Sequence, residues 1–212
     1  MTTFHAPSSV PPRLGRSFYR RDPITVARGL LGQRLVRRTA EGEAAGLIVE
    51  VEAYLGVKDR AAHSFNGRRT ARVESMYCDG GFSYVFLNYG IHHLLNVVVG
   101  EEDTPQAVLL RAVEPTHGID LMYARRPAAR RDVDLCSGPG KLGAAFAIDL
   151  RDDRVDMTTS DAIYIAQLRR RPLSPRAIAV GPRIGVDYAQ EWAQAPLRFS
   201  IAGNPHVSAG GS

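Results

Sequence analysis

Two apolar runs with strand character, 82–88 and 91–99, are separated by only Tyr89-Gly90. A connection that short joins only antiparallel neighbours, because a parallel crossover takes a dozen residues or more. The chain therefore carries a β-hairpin, and the rest of its fold must be built around it. Further strands are expected at 46–54, 107–113, 162–166, 177–180 and 197–201, and Leu35-Val36 begins another. Asp22-Pro23-Ile24 opens a helix, with Asp22 as cap, Pro23 in the first turn, and Val26, Leu30 and Leu31 as its apolar stripe; Gly32 ends it. Residues 116–125 read as a helix, as do 141–148 after Gly138-Pro139-Gly140. No internal repeat or linker interrupts the series. The mixture predicts the α+β class with mainly antiparallel strands and flanking helices. A Pro-, Ser- and Thr-rich N-terminus is expected to be a disordered tail over residues 1–15, followed by a single domain over 16–212.

Alternation along 46–54 puts Ile48, Glu50, Glu52 and Tyr54 on one face, and Leu47, Val49, Val51 and Ala53 on the other. Two carboxylates on an otherwise apolar strand fit a solvated sheet face. They also fit the edge of a pocket, where such a group activates water as a general base. Arg111 stands inside the apolar run 107–113 and needs an acidic partner if buried; Glu50, Glu52 and Glu114 are candidates. Tyr84, Phe86 and Asn88 share a strand face, as core or as a pocket wall. Tyr89-Gly90-Ile91 at the hairpin tip either folds back on the body or enters a nucleic-acid stack as a wedge. His63 in Ala61-Ala62-His63-Ser64 reads first as a structural histidine.

A net charge of +5 and a pI near 9.5 suit a polyanionic partner, although only Lys58 and Lys141 are lysines and 25 of the 27 basic residues are Arg, a pattern that base composition alone can produce. Cys136-Ser137-Gly138-Pro139-Gly140-Lys141-Leu142 is not a P-loop: Leu135 stands where the first glycine is needed and Leu142 replaces the Ser/Thr. What survives is a Gly-rich helix start whose Lys141 suits a backbone phosphate, or a tight turn. Cys78 and Cys136 make no disulfide framework, and adjacent His92 and His93 point to opposite faces of a strand. No metal, no other cofactor and no membrane span are expected, and free thiols point to a cytoplasmic setting.

Several motifs occur together and in order: Val49-Glu50-Val51-Glu52-Ala53-Tyr54-Leu55-Gly56, Asp59-Arg60-Ala61-Ala62-His63-Ser64, Tyr84-Val85-Phe86-Leu87-Asn88-Tyr89-Gly90, Leu109-Leu110-Arg111-Ala112-Val113-Glu114-Pro115, Leu135 to Leu142, and Arg183-Ile184-Gly185-Val186. With Glu191-Trp192 and Pro196-Leu197-Arg198-Phe199, the chain from about Phe18 to Val207 resembles the alkyladenine (3-methyladenine) DNA glycosylase family. The resemblance implies a single domain on a curved, mainly antiparallel sheet with a protruding hairpin. It also implies base excision repair on double-stranded DNA, with a damaged purine, alkylated or deaminated, flipped from the stack and its N-glycosidic bond hydrolysed without a lyase step; nothing in the sequence calls for more than a monomer. Carried over residue by residue, it implies that Glu52 activates water while Arg111 and the Ile184 carbonyl place it. Tyr54, His63 and Phe86 would hold the base, Asn96 would gate the pocket, and Tyr89 beside Ile91 would fill the gap in the duplex. In a bacterium the setting would be the nucleoid. Two other classes fit some of these features: a non-enzymatic nucleic-acid-binding module, which has no use for Glu52 with Arg111, and a hydrolase of free nucleosides, which has no use for a tip wedge.

Overall fold

The computed structural model describes residues 11–208. The chain enters through α1 (Arg16–Tyr19) and α2 (Pro23–Leu30), then lays down β1 (Arg34–Thr39) and β2 (Gly42–Tyr54). Short 3-10 turns lead to β3 (Ser83–Asn88), β4 (His92–Val99) and β5 (Gln106–His117). Then follow α3 (Ile119–Arg125), α4 (Asp132–Leu135), α5 (Pro139–Ala145), β6 (Ile163–Ala166), β7 (Ile178–Gly181) and β8 (Arg198–Ile201). The registered pairs are antiparallel throughout, in the order β3-β4-β5-β2-β1-β6. The long strand β2 forks the sheet: residues 42–47 pair with β1, and residues 50–52 pair with β8, which carries β7 on its far edge. The fold is α+β, as the sequence predicts.

Local chemistry explains the element ends. The Thr25 amide donates to Asp22 Oδ1 at 2.9 Å, so Asp22 caps α2. Tyr89 and Gly90 both have positive φ, 51° and 72°, and the Ile91 amide donates to the Asn88 carbonyl at 3.1 Å. This is the φ pattern of the type I′ turn that matches strand twist. Three expectations need correction. Residues 116 and 117 belong to β5 rather than to a helix; α3 starts only after Gly118, whose φ of 68° breaks the strand. The helix expected over 141–148 is α5, which starts at Pro139 and stops at Ala145, because proline fits the first helical position and Ala147 turns to a φ of 49°. Of the tail expected over 1–15, residues 1–10 lie outside the described residues, but Pro12 to Leu14 are seated against β6: the Gln167 amide donates to the Pro12 carbonyl and Leu14 is buried.

Strand alternation also breaks at one informative place. The β2–β5 register runs Ile48↔Val113, Glu50↔Ala112, Val51↔Leu110, leaving Val49 on one strand and Arg111 on the other without partners. These are two compensating bulges. They turn Ile48 into the main core beside Val51 and Ala53, rather than onto the face of Glu50 and Glu52. The core lies between the sheet and the helices, with Leu30 and Leu31 from the α2 side and Leu142 and Phe146 from the α5 side. Helix α5 sits so close to β4 that a Cβ on Gly143 would run into the His93 carbonyl oxygen. Helix propensity favours Ala over Gly by about 1 kcal/mol. Here the clash reverses the sign, and Gly143→Ala is expected to destabilise by about 1–3 kcal/mol, read as a lower midpoint in urea unfolding. Among the described residues, no helix is long and apolar enough to cross a membrane.

Candidate active site

The sheet face opposite the main core carries a cavity of about 350 Å³. Tyr54 from the end of β2, Phe86 from β3, Asn96 from β4, and Leu109 and Arg111 from β5 line it together with His63 and Ile184. The position of these groups follows from strand period: Leu109 and Arg111 face the cavity while Val108 and Leu110 between and before them face the core.

Glu52 and Glu50 are both 0% exposed, so this is no solvated sheet face. The carboxylate of Glu52 accepts from the Ile184 amide at 2.8 Å on Oε1 and from the Tyr54 hydroxyl at 2.8 Å on Oε2, and Arg111 Nη1 forms an ion pair with it 3.1 Å from Oε1. Burial raises its pKa above the usual carboxylate range, while Arg111, the Ile184 amide and the Tyr54 hydroxyl oppose that shift and Glu50 adds to it. The sequence left the partner of Arg111 open among three glutamates. The structure gives it two, Glu50 at 3.2 Å and Glu52 at 3.1 Å, and assigns Glu114 to the Asn204 side chain instead. Ile184 engages Glu52 through its amide; its carbonyl is the group that the resemblance singles out.

The cavity walls are aromatic. The His63 and Phe86 rings meet edge to face at 4.6 Å between centroids, and His63 Nδ1 lies 2.7 Å from the Tyr84 hydroxyl. Burial lowers the His63 pKa to about 4, with Arg72 and Arg68 adding to the shift, so the ring is neutral at physiological pH. A neutral ring can face a cationic base without charge repulsion. Asn96 is buried and donates through Nδ2 to the Tyr84 carbonyl at 3.0 Å, which fixes the direction of its amide. At the mouth, Tyr89 is 85% exposed and Ile91 72%, so the tip does not fold back on the body. Lys141 is exposed on α5, with Nζ 3.3 Å from the Ser137 hydroxyl; it is outside the cavity, although Pro139 two residues earlier lines it.

Sequence reasoning missed three groups. Tyr188 lines the mouth, and its hydroxyl donates to the Ala61 carbonyl at 3.4 Å. Asp59 and Arg183 form a fully buried ion pair at 2.5 Å, with the Arg183 guanidinium 4.7 Å from the Tyr54 ring centroid. Ser208 reaches Glu50 and Arg111 from the far end of the chain. Each joins positions remote in sequence, and a single chain without cross-strand register carries no sign of such pairs.

A family model for methylpurine-DNA glycosylase matches residues 17–205. A mouse DNA-3-methyladenine glycosylase is 42% identical over 214 residues, covering 97% of this chain and 64% of the mouse protein. The chain thus spans a little under two thirds of that relative's length. The human protein of the same name is 41% identical over 97% of this chain and 71% of its own. A Bacillus subtilis protein with the provisional name 3-methyladenine DNA glycosylase is 46% identical, over 91% of this chain and 94% of its own. With the family model matching from α1 to beyond β8 and relatives above 40% identity covering more than nine tenths of the chain, the chain belongs to the methylpurine-DNA glycosylase family.

Proposed function

We propose that this chain is a monofunctional glycosylase of base excision repair. It takes an alkylated or deaminated purine out of double-stranded DNA and hydrolyses its N-glycosidic bond with water activated by Glu52. The observation that carries this reading is a buried carboxylate whose partners, Arg111, the Ile184 amide and the Tyr54 hydroxyl, belong to residues that line an aromatic-walled cavity of about 350 Å³; Glu52 itself sits behind them. A purine reaches such a cavity only when flipped from the stack. In the reaction Glu52 takes a proton from water, and the resulting oxygen nucleophile bonds to the sugar C1′. The C1′–N bond breaks and its electron pair leaves with the base. An N3- or N7-alkylated purine departs as a neutral molecule because it enters as a cation, whereas a deaminated base such as hypoxanthine enters neutral and must take up one proton as it leaves. Tyr54, His63 and Phe86 hold that cation by stacking, each face contributing about 0.5–2 kcal/mol. Arg111 and the Ile184 backbone orient the carboxylate and its water. The Asn96 amide, fixed by Tyr84, gates the cavity against the exocyclic amine of guanine. Lys58 and Lys141 do not line the cavity, which favours hydrolysis over a Schiff-base lyase step. Lys141 and the Arg-rich surface serve the DNA backbone. The chain works as a monomer where the DNA is, in cytoplasm and nucleoid for a bacterial source.

The test is single-turnover release of free base from duplexes bearing one 3-methyladenine, 7-methylguanine, hypoxanthine or ethenoadenine. Release of at least one, with an intact abasic strand left behind, is the expected result. Binding of lesion DNA without release supports the non-enzymatic module instead, and release from free nucleosides supports a nucleoside hydrolase.

Tyr89 gives an independent check. A bulky residue at a φ of 51° costs about 1–2 kcal/mol relative to glycine, and the turn prefers Asn there. Tyr89→Asn is therefore expected to leave stability equal or higher, yet weaken binding to lesion duplex about tenfold or more. A variant that binds lesion DNA as tightly as the parent protein removes the wedge from the reading.

A further inference from the structure

Glu50 is as buried as Glu52, yet the hydrolysis does not use it. A buried carboxylate persists only with a full set of donors. Those of Glu50 come from three separate segments: Arg111 Nε on β5 at 3.2 Å, Arg198 Nη1 on β8 at 3.1 Å, and the Ser208 amide at 2.9 Å. Ser208 lies beyond the end of β8, in chain that returns to the sheet, and is 7% exposed. Its hydroxyl stands 3.3 Å from Arg111 Nη2 and accepts from it. Every nitrogen of the Arg111 guanidinium thus has a partner: Nε and Nη2 donate hydrogen bonds to Glu50 and Ser208, and Nη1 forms an ion pair with Glu52.

Two carboxylates compete here for one guanidinium. A bidentate pair is the strongest arrangement open to Arg and a carboxylate. Left alone with Glu50, Arg111 would gain by turning both of its arms toward it and away from Glu52. Two contacts prevent that. Arg198 and the Ser208 amide occupy the Glu50 oxygens, so that Glu50 takes Arg111 through Nε only. The Ser208 hydroxyl holds Nη2 away from Glu50. We infer that Glu50 and Ser208 are positioning residues, and that the chain beyond β8 clamps Arg111 so that its guanidinium stays beside the Glu52 carboxylate as an ion pair, Nη1 3.1 Å from Oε1. This rests on the reading of Glu52 as the water-activating base.

The inference separates from a merely structural role through the pH dependence of single-turnover base release. The groups that face Glu52 are Glu50 and Tyr54 on β2, Arg111 on β5, and Arg183 with the Ile184 amide from the loop before Tyr188; Arg198 on β8 acts through Glu50. Removing the negative charge of Glu50 eases ionisation of Glu52, so Glu50→Gln is expected to move the acid limb to lower pH. Removing the Ser208 hydroxyl lets Arg111 turn from Glu52, so Ser208→Ala is expected to move the limb to higher pH. A displacement of about one unit, tenfold in rate on the limb, is the expected size. Ser208→Thr keeps both the hydroxyl and the amide and is expected to behave as the parent protein, so the pair of variants at 208 decides the matter even if Glu50→Gln does not fold. Limbs that stay in place, or that move in the same direction in Glu50→Gln and Ser208→Ala, overturn the inference. Glu52→Gln is run alongside. If it has lost base release while the other limbs stay fixed, the clamp alone fails; if it releases base at the parental rate, the reading of Glu52 fails and the clamp with it.

Discussion

Glu52→Gln is expected to slow single-turnover base release by at least about 10²–10⁴-fold while leaving lesion-duplex binding within a fewfold of the parent protein. The substitution keeps volume and removes only the charge and the proton-accepting oxygen. Arg111 retains Glu50 and Ser208, so no guanidinium is stranded. The pH dependence of the parent enzyme follows from the same carboxylate. Burial raises the Glu52 pKa, and a general base at this position would work ionised, so the rate is expected to fall as pH drops through a limb above the ordinary carboxylate range. The stability sign is opposite. With the folded-state pKa above the unfolded value of about 4.5, the contribution of Glu52 to stability is fully present below that value. It is lost as pH rises through the folded value. Ionisation at neutral pH therefore costs stability and supplies reactivity. The Gln variant, which cannot ionise, is expected to melt no lower than the parent protein at pH 7–8, as monitored by circular dichroism. A variant that releases base at near-parental rate removes Glu52 from the mechanism; one that loses binding and folding together shows a structural residue instead.

How far the sequence reaches depends on whether a feature is local. The Asp22 cap and the Tyr89-Gly90 turn are set within a few residues, and both are legible before folding. The face of Ile48 is not. Period-two reasoning assigns it beside Glu50, and only the pairing of β2 with β5 reveals the bulges at Val49 and Arg111 that move it into the core. The extension of β5 through His117 fails for a related reason. Residues 116–117 show no alternation of their own, but β2 is long enough to pair with them, and Ala45↔His117 register overrides local preference. The carboxylates themselves were visible; their burial was not, because exposure of a sheet face depends on the chain that covers it. Here the covers are the 183–188 loop and Ser208, more than 120 residues downstream.

Asp59→Asn is expected to destabilise the protein by about 3–5 kcal/mol, the loss that follows when one partner of a buried ion pair is removed. Asp59 accepts four N–H groups: the Leu55 amide at 3.0 Å, the Ala61 amide at 3.0 Å, and Arg183 Nη1 and Nη2 at 2.5 and 2.8 Å. An Asn amide turns a donor toward at least one of these donors and leaves the Arg183 charge uncompensated at 0% side-chain exposure. For a chain of this size each kcal/mol moves Tm by about 2–4 °C, so a drop near 10 °C is expected. Function should suffer through Tyr54, whose ring packs against Arg183 and whose hydroxyl holds Glu52. Arg183→Met alone leaves Asp59 as the unpaired charge and should cost a similar amount. The double variant strands neither charge, and the Asn oxygen still serves one of the two loop amides. Its loss is therefore expected to be well below the sum of the single losses, a coupling of about 2–3 kcal/mol in a double-mutant cycle. Additive losses would mean that the two residues act separately, and that the wall behind Tyr54 is held by packing rather than by this pair.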